Sequence, residues 1–182
     1  MPRPHQLSFL PRQNPEHGGA LVRGRRKLAR PIALKQSMHI VLRSSRAKGP
    51  WSMLHAKNRA HVDALVSRIA TRHGLKIYRY ANVGNHLHLL VKPLTRTGFQ
   101  RFLKDLTGSL AILITGARNS SPLQGRFWDE LAYTRIVSWG KDFRNLELYF
   151  IKNLFEAAGL LTQRAKALGL QVIPIAGWAR GP

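Results

Sequence analysis

Two histidines one residue apart, His86 and His88, are the first side chains whose type and spacing suggest chemistry. They open the run His86 to Lys92, bounded by the turn signal Gly84-Asn85 and by Pro93, which reads as a β-strand. On a strand, side chains i and i+2 share a face, with Cα atoms roughly 6.5 to 7 Å apart. Two imidazoles at that spacing can lean onto one divalent cation, while Leu87, Leu89 and Val91 take the opposite face. Histidines at alternate strand positions are also common as ordinary surface or core residues. A metal would need a further ligand from elsewhere.

A helix late in the chain offers one. From about Asp142 to Ala158, Phe143, Leu146, Phe150, Leu154 and Ala157 fall into one apolar stripe that should pack on a sheet. Tyr149 and Asn153, at i and i+4, stand one above the other on the polar arc bordering it, beside Asp142, Asn145 and Glu156. A hydroxyl and a carboxamide are thus stacked at the edge that meets the sheet. Tyr133 is a rival nucleophile on an expected strand, Leu131 to Val137, where aromatic side chains usually pack against neighbours. His39 can approach the histidine pair if its strand lies alongside, and is otherwise a structural histidine.

The elements that must position these residues follow from periodicity. Met38 to Arg43 is β-rich, and about Leu54 to Arg72 carries Val62, Leu65, Val66 and Ile69 at helical spacing. Leu75 to Asn82 reads as a strand, and about Gly98 to Gly116 as a helix with Phe99, Phe102, Leu103, Leu106, Leu110 and Leu113 in one stripe. The order β-α-β-β-α-β predicts an α+β, ferredoxin-like fold with an antiparallel sheet and helices on one face, followed by an added C-terminal helix carrying Tyr149. Residues 1–35, rich in proline and arginine, read as a basic flexible tail, 36–160 as the single folded domain, and 161–182 as a C-terminal helix and tail.

Thirty Lys and Arg against eight Asp and Glu give a formal charge of +22. Such an excess calls for a polyanion, and nucleic acid is the natural partner. Candidate phosphate contacts are Arg23, Arg25, Arg26 and Lys27 in the tail, Arg43, Arg46 and Lys48 after the first strand, and Arg101, Lys104 and Arg118 on or after the second helix; each could instead be a solvated charge. Trp51, Trp128, Trp139 and Trp178 could stack bases, although Trp128 and Trp139 are expected to anchor the core. The eight acids are too sparse for a two-metal nuclease or a glycosidase, so a metal must lean on histidine and neutral oxygen. With no cysteine, thiolate sites and disulfides are excluded. No run of about 18 apolar residues occurs and the N-terminus lacks a secretory pattern, which gives a cytoplasmic location, no membrane contact and no obligate protein partner as expectations.

Asn85-His86-Leu87-His88-Leu89-Leu90 resembles the histidine-hydrophobe-histidine motif of the HUH transposases. Arg126-Phe127-Trp128, followed by Tyr149-Phe150-Ile151-Lys152-Asn153 and then Gly159, resembles the downstream signature of the REP-associated tyrosine transposases within the IS200-like, single-tyrosine group. The resemblance spans about Ser37 to Leu160. It implies His86, His88 and Asn153 as ligands of Mg or Mn and Tyr149 as the nucleophile. It also implies cleavage and strand transfer of single-stranded or hairpin DNA through a 5′-phosphotyrosine, by a monomer or homodimer. The chain departs from the family after the tyrosine: Asn153-Leu154-Phe155-Glu156-Ala157-Ala158-Gly159 lacks the proline of Asn-Pro-Val-Lys-x-Gly and is one residue longer. Two other readings stay open, a non-catalytic nucleic-acid-binding module on the same fold and a basic RNA-binding protein in which the site residues coincide by chance.

Overall fold

The computed structural model describes residues 15–22 and 29–157. In chain order the elements are β1 (Glu16–His17), β2 (Ser37–Arg43), α1 (Ala56–Arg72), β3 (Leu75–Asn82), β4 (His86–Pro93), α2 (Arg96–Thr115), β5 (Tyr133–Val137) and α3 (Lys141–Ala157), with 3₁₀ turns at Gly19–Val22 and Gly49–Trp51. The strands form one sheet in the order β1-β5-β2-β4-β3, and every pairing is antiparallel. The α+β, ferredoxin-like βαββαβ arrangement is therefore present, with α3 following it.

The two faces of the sheet are covered differently. Met38, Ile40 and Leu42 of β2 and Leu87, Leu89 and Val91 of β4 pack under Val62, Leu65, Val66 and Ile69 of α1 and Phe99, Phe102, Leu106 and Leu110 of α2. The other face of the sheet meets α3: Leu90 of β4, Ala81 of β3 and Val137 of β5 pack with Leu146 and Phe150. Expected helices on one face account for α1 and α2; α3 closes the other. This explains why β2 and β4 are almost wholly buried, since a strand covered on both sides has no solvent face. The side chains of Leu154 and Ala157, the distal end of the expected apolar stripe, lie outside the described residues, as do residues 158–182 with the expected terminal helix.

Local chemistry sets the joints. The Thr95 hydroxyl accepts from the Gly98 amide at 2.9 Å and caps α2. Gly98 itself lies so close to the His73 carbonyl at the end of α1 that a Cβ would clash with it, which locks the two helices together. At the start of α3 the Asp142 carboxylate accepts from Arg135 Nη1 (3.0 Å) and from the Ser138 amide (3.0 Å), tying the helix to β5. Arg79 of β3 pairs with Glu147 one turn further along α3.

One strand was not foreseen. Glu16 and His17 pair with Arg135 and Thr134 at the edge of the sheet. A two-residue strand carries no periodicity, so nothing in the sequence marks it. Gly18, at φ 91°, then turns the chain against Ala132, where a Cβ would overlap the backbone. Arg30 adds a second tie, its guanidinium donating to the Ala132 carbonyl (2.8 Å) and to Thr134 Oγ1 (2.6 Å). Burial lowers its pKa to about 10.

Candidate active site

The β2–β4 register places His39 opposite Leu90 and Arg43 opposite His86. Because His86, His88 and Leu90 share one face of β4 with His39 of β2, the imidazoles gather under α3. The rings of His86 and His88 lie 4.8 Å apart and nearly perpendicular, and those of His39 and His88 are stacked at 5.6 Å. Tyr149 closes the cluster from the helix, edge-on to His88 at 5.3 Å and to His39 at 6.4 Å. Phe150 covers His39 and His88 at 5.6 and 5.9 Å and keeps water from that side.

Hydrogen bonds orient both histidines of the pair. His86 Nδ1 lies 2.6 Å from the Asn85 carboxamide oxygen, so Nδ1 carries the proton and Nε2 the lone pair. His88 Nδ1 lies 3.4 Å from His39 Nε2, so one proton is shared between these two nitrogens; with it on His88 Nδ1, the Nε2 of His88 is the lone-pair atom. That Nε2 is buried and has no hydrogen-bond partner. A ligating histidine whose other nitrogen is held by a second partner is the usual arrangement around a metal.

All three rings are held neutral. Burial, then the Arg135 charge, takes His39 down to about 3; burial, then Arg43, takes His86 to about 4. Burial, followed by His39 and His86, pushes His88 well below its ordinary value. Neutral imidazole is the form that binds a cation. Among the described carboxylates, Asp63 accepts from Tyr80, Asp105 from His73 and Asp129 from Ser45, Asp142 and Glu147 are paired as described, and Glu16 lies beside Tyr133. Among the described residues no three His, Cys, Asp or Glu side chains are set around one point as a metal cage. The donor types at hand are imidazole and neutral oxygen, which would suit a cation that keeps waters.

Asn153 is buried one turn beyond Tyr149, and its Nδ2 donates to the Tyr149 carbonyl at 2.8 Å. That bond fixes the carboxamide and leaves Oδ1 as its acceptor atom. Tyr133 reaches the cluster from β5, 6.4 Å edge-on to His39, but burial and then Glu16 raise its pKa well above the ordinary phenol value. Burial and the bond to Asp63 do the same to Tyr80, on the opposite face.

The expected phosphate contacts divide by layer. Arg43 is exposed beside His86, and Lys48 is exposed beyond the end of β2. Arg46 is committed to structure: its guanidinium donates to the Gln124 (2.7 Å) and Arg126 (3.2 Å) carbonyls and sits 5.2 Å over the Trp51 ring. Arg101 and Lys104 are exposed on α2, the far side of the sheet from the histidines, and Arg118 is exposed in the loop beyond α2. Arg23, Arg25, Arg26 and Lys27 lie outside the described residues, as does Trp178. Trp128 is half-buried and donates to the Thr107 carbonyl, as a core anchor should. Trp139 differs from expectation, being 51% exposed, because it lies in the turn before α3 rather than under it.

His39 approaches the histidine pair as expected for a strand lying alongside β4, whereas the bond between Asn85 and His86 Nδ1 is not foreseen, Asn85 having read as a turn signal and as the first residue of the motif.

Comparison with solved structures finds the chain similar to a Deinococcus radiodurans R1 protein assigned as a transposase, at 18% identity over 71% of this chain and 98% of that one, with a TM-score of 0.43. It is also similar to a REP-associated tyrosine transposase bound to a REP hairpin, at 15% identity over 84% and 92% of the two chains, with a TM-score of 0.48. No curated protein matches. No described helix is long and apolar enough to cross a membrane. Residues 33–142 match the family described as "Transposase IS200 like", a span that holds β2 to β5 and the histidine pair and ends before Tyr149. As that span is well over half of the sequence, the chain belongs to the IS200-like transposase family.

Proposed function

We propose that this chain cuts and rejoins single-stranded DNA, with Tyr149 as nucleophile and a divalent cation, Mg or Mn, held by Nε2 of His86 and His88 and by the Asn153 oxygen. The observation that carries the reading is the contact between Tyr149 and His88, whose ring is buried, neutral and open at Nε2. When bound, the cation would polarise the scissile phosphate and offset the charge that builds on it.

The chain's own residues do the rest. Asn85 holds His86 in the ligating tautomer, and His39, by accepting from His88 Nδ1, would do the same for His88. Phe150 excludes water beside them. The Tyr149 oxygen attacks phosphorus in line, forming the P–O(Tyr) bond as the P–O3′ bond breaks. The phenol proton is released and the departing 3′ oxygen takes one up, which leaves a 5′-phosphotyrosine and a free 3′-OH. The link keeps the phosphoester bond energy, so another 3′-OH can reverse the step without ATP. Arg43, opposite His86 and 3.8 Å from Asp129, is the cation placed to grip the strand near the site, with Lys48 exposed beyond the end of β2. Arg23, Arg25, Arg26, Lys27, Arg101, Lys104 and Arg118 would grip it further away, the general +22 charge supporting binding throughout.

The test is a denaturation-resistant adduct between the full chain and labelled single-stranded hairpin DNA with Mn or Mg. The adduct should vanish in Tyr149→Phe and persist in Tyr133→Phe. Its persistence in Tyr149→Phe would overturn the nucleophile. Tight binding with no adduct on any of several hairpins would favour the non-catalytic module.

A further inference from the structure

A second feature shares the α3 face of the sheet with the histidines. Trp139 and Phe143 stack at 4.8 Å with only 26° between their planes. Tyr78 of β3 stands edge-on to both, at 5.7 and 6.2 Å. The Trp139 ring is nonetheless half open to solvent and can take a flat partner on its exposed side.

The strand is bent to build this cluster. Ile77 of β3 pairs with Val91 and Arg79 with Leu90, so Tyr78 is the extra residue of a β-bulge. Ile77 packs with the α1–α2 core, whereas Tyr78 packs with the α3 core and Arg79 pairs with Glu147 of α3. The bulge therefore sends two successive side chains to one face, which regular alternation forbids. Positive charge is close by: Lys76 Nζ lies 5.3 Å over Tyr78, and Lys141 and Arg144, near Phe143 in sequence, are exposed. Of the nearby acids, Asp142 is bonded to Arg135 and Ser138, and Glu147 to Arg79.

We propose that Trp139, backed by Phe143 and Tyr78, is a stacking platform for an unpaired base of the DNA strand held at the histidine–tyrosine site. An exposed ring on a rigid aromatic base, with cations close by, matches the way single strands are held without sequence readout. Phe143 and Tyr149 lie six residues apart on α3, about 9 Å along the helix, so a strand with its phosphate at the histidines can lay a nearby flanking base on Trp139. The proposal rests on single-stranded DNA as substrate, as inferred above, but not on the chemistry at Tyr149.

Binding to the full chain tests it, using a short oligothymidylate and an abasic phosphodiester strand of the same length, without metal. Wild type should prefer the thymidylate about tenfold. Trp139→Ala should abolish that preference without changing the salt dependence of abasic-strand binding, because stacking releases no counterions. Trp139→Phe should retain most of it and serves if the alanine variant misfolds. Equal binding of the two strands by wild type, or an undiminished preference in Trp139→Ala, overturns the platform. Adduct formation reads the catalytic proposal separately: a base preference lost in Trp139→Ala with no adduct in any hairpin keeps the platform and removes the chemistry, and the reverse result does the opposite.

Discussion

His39 Nε2 lies 3.4 Å from His88 Nδ1 across the paired strands β2 and β4, and the Tyr149 ring stands edge-on to the same His88 at 5.3 Å. His39 thereby acts through His88 as a positioning residue. Replacing it with Phe keeps an aromatic ring in the slot but removes the acceptor. His39→Phe should weaken Mn binding about 10- to 100-fold by calorimetry, with the far-UV spectrum unchanged. Unchanged affinity would mean that His88 is oriented without it.

Adjacent residues of β4 should fail in different ways. Leu89 is fully buried under α1 and α2, and Leu89→Ala should cost about 2 to 5 kcal/mol in urea unfolding while folded protein still binds Mn. His88→Ala should lose Mn binding at whatever stability remains. The same loss of metal affinity in folded Leu89→Ala would contradict the division of the sheet into a structural and a functional face.

Asp142 fastens the start of α3, which carries Tyr149. Removing it leaves the buried Arg135 guanidinium without this carboxylate and the Ser138 amide without its acceptor. Asp142→Ala should destabilise the fold by about 3 kcal/mol in the same assay. A loss under 1 kcal/mol would show that α3 is held by its other contacts, the apolar ones and the Arg79–Glu147 pair.

The histidines also set a pH dependence. Their folded pKa values lie below the ordinary 6.5, at about 4 for His86 and about 3 for His39, so the folded state binds fewer protons than the unfolded one in acid. The stability they confer is present above 6.5 and drains away as pH falls from there toward those values. In chelator, the urea midpoint should fall between pH 6.5 and 5, before most carboxylates titrate, and His39→Phe should flatten that slope. A midpoint level across the interval would contradict the neutral, buried cluster.

Much of this was legible in the residues. Alternation at His86, Leu87, His88 and Leu89 divides β4 correctly between its two faces, and helical spacing puts Tyr149 and Asn153 one turn apart beside the buried Leu146 and Phe150. What escaped depends on pairing between distant segments. His39 is expected near the pair only if its strand lies alongside, and that register no local pattern specifies. The bulge at Tyr78 breaks the period that identifies β3, and the short β1 has too few residues to show one. Arg46 looks like any other cation until Gln124 and Arg126 offer their carbonyls.

The most direct measurement is to digest the protein–DNA adduct with trypsin and find the peptide that carries nucleotide mass. Tyr149 falls in Asn145–Lys152 and Tyr133 in Phe127–Arg135, so the two candidates separate cleanly. The account predicts a phosphonucleotide on Asn145–Lys152, lost in Tyr149→Phe and dependent on Mn or Mg. Nucleotide on Phe127–Arg135, or on a peptide without tyrosine, would contradict it.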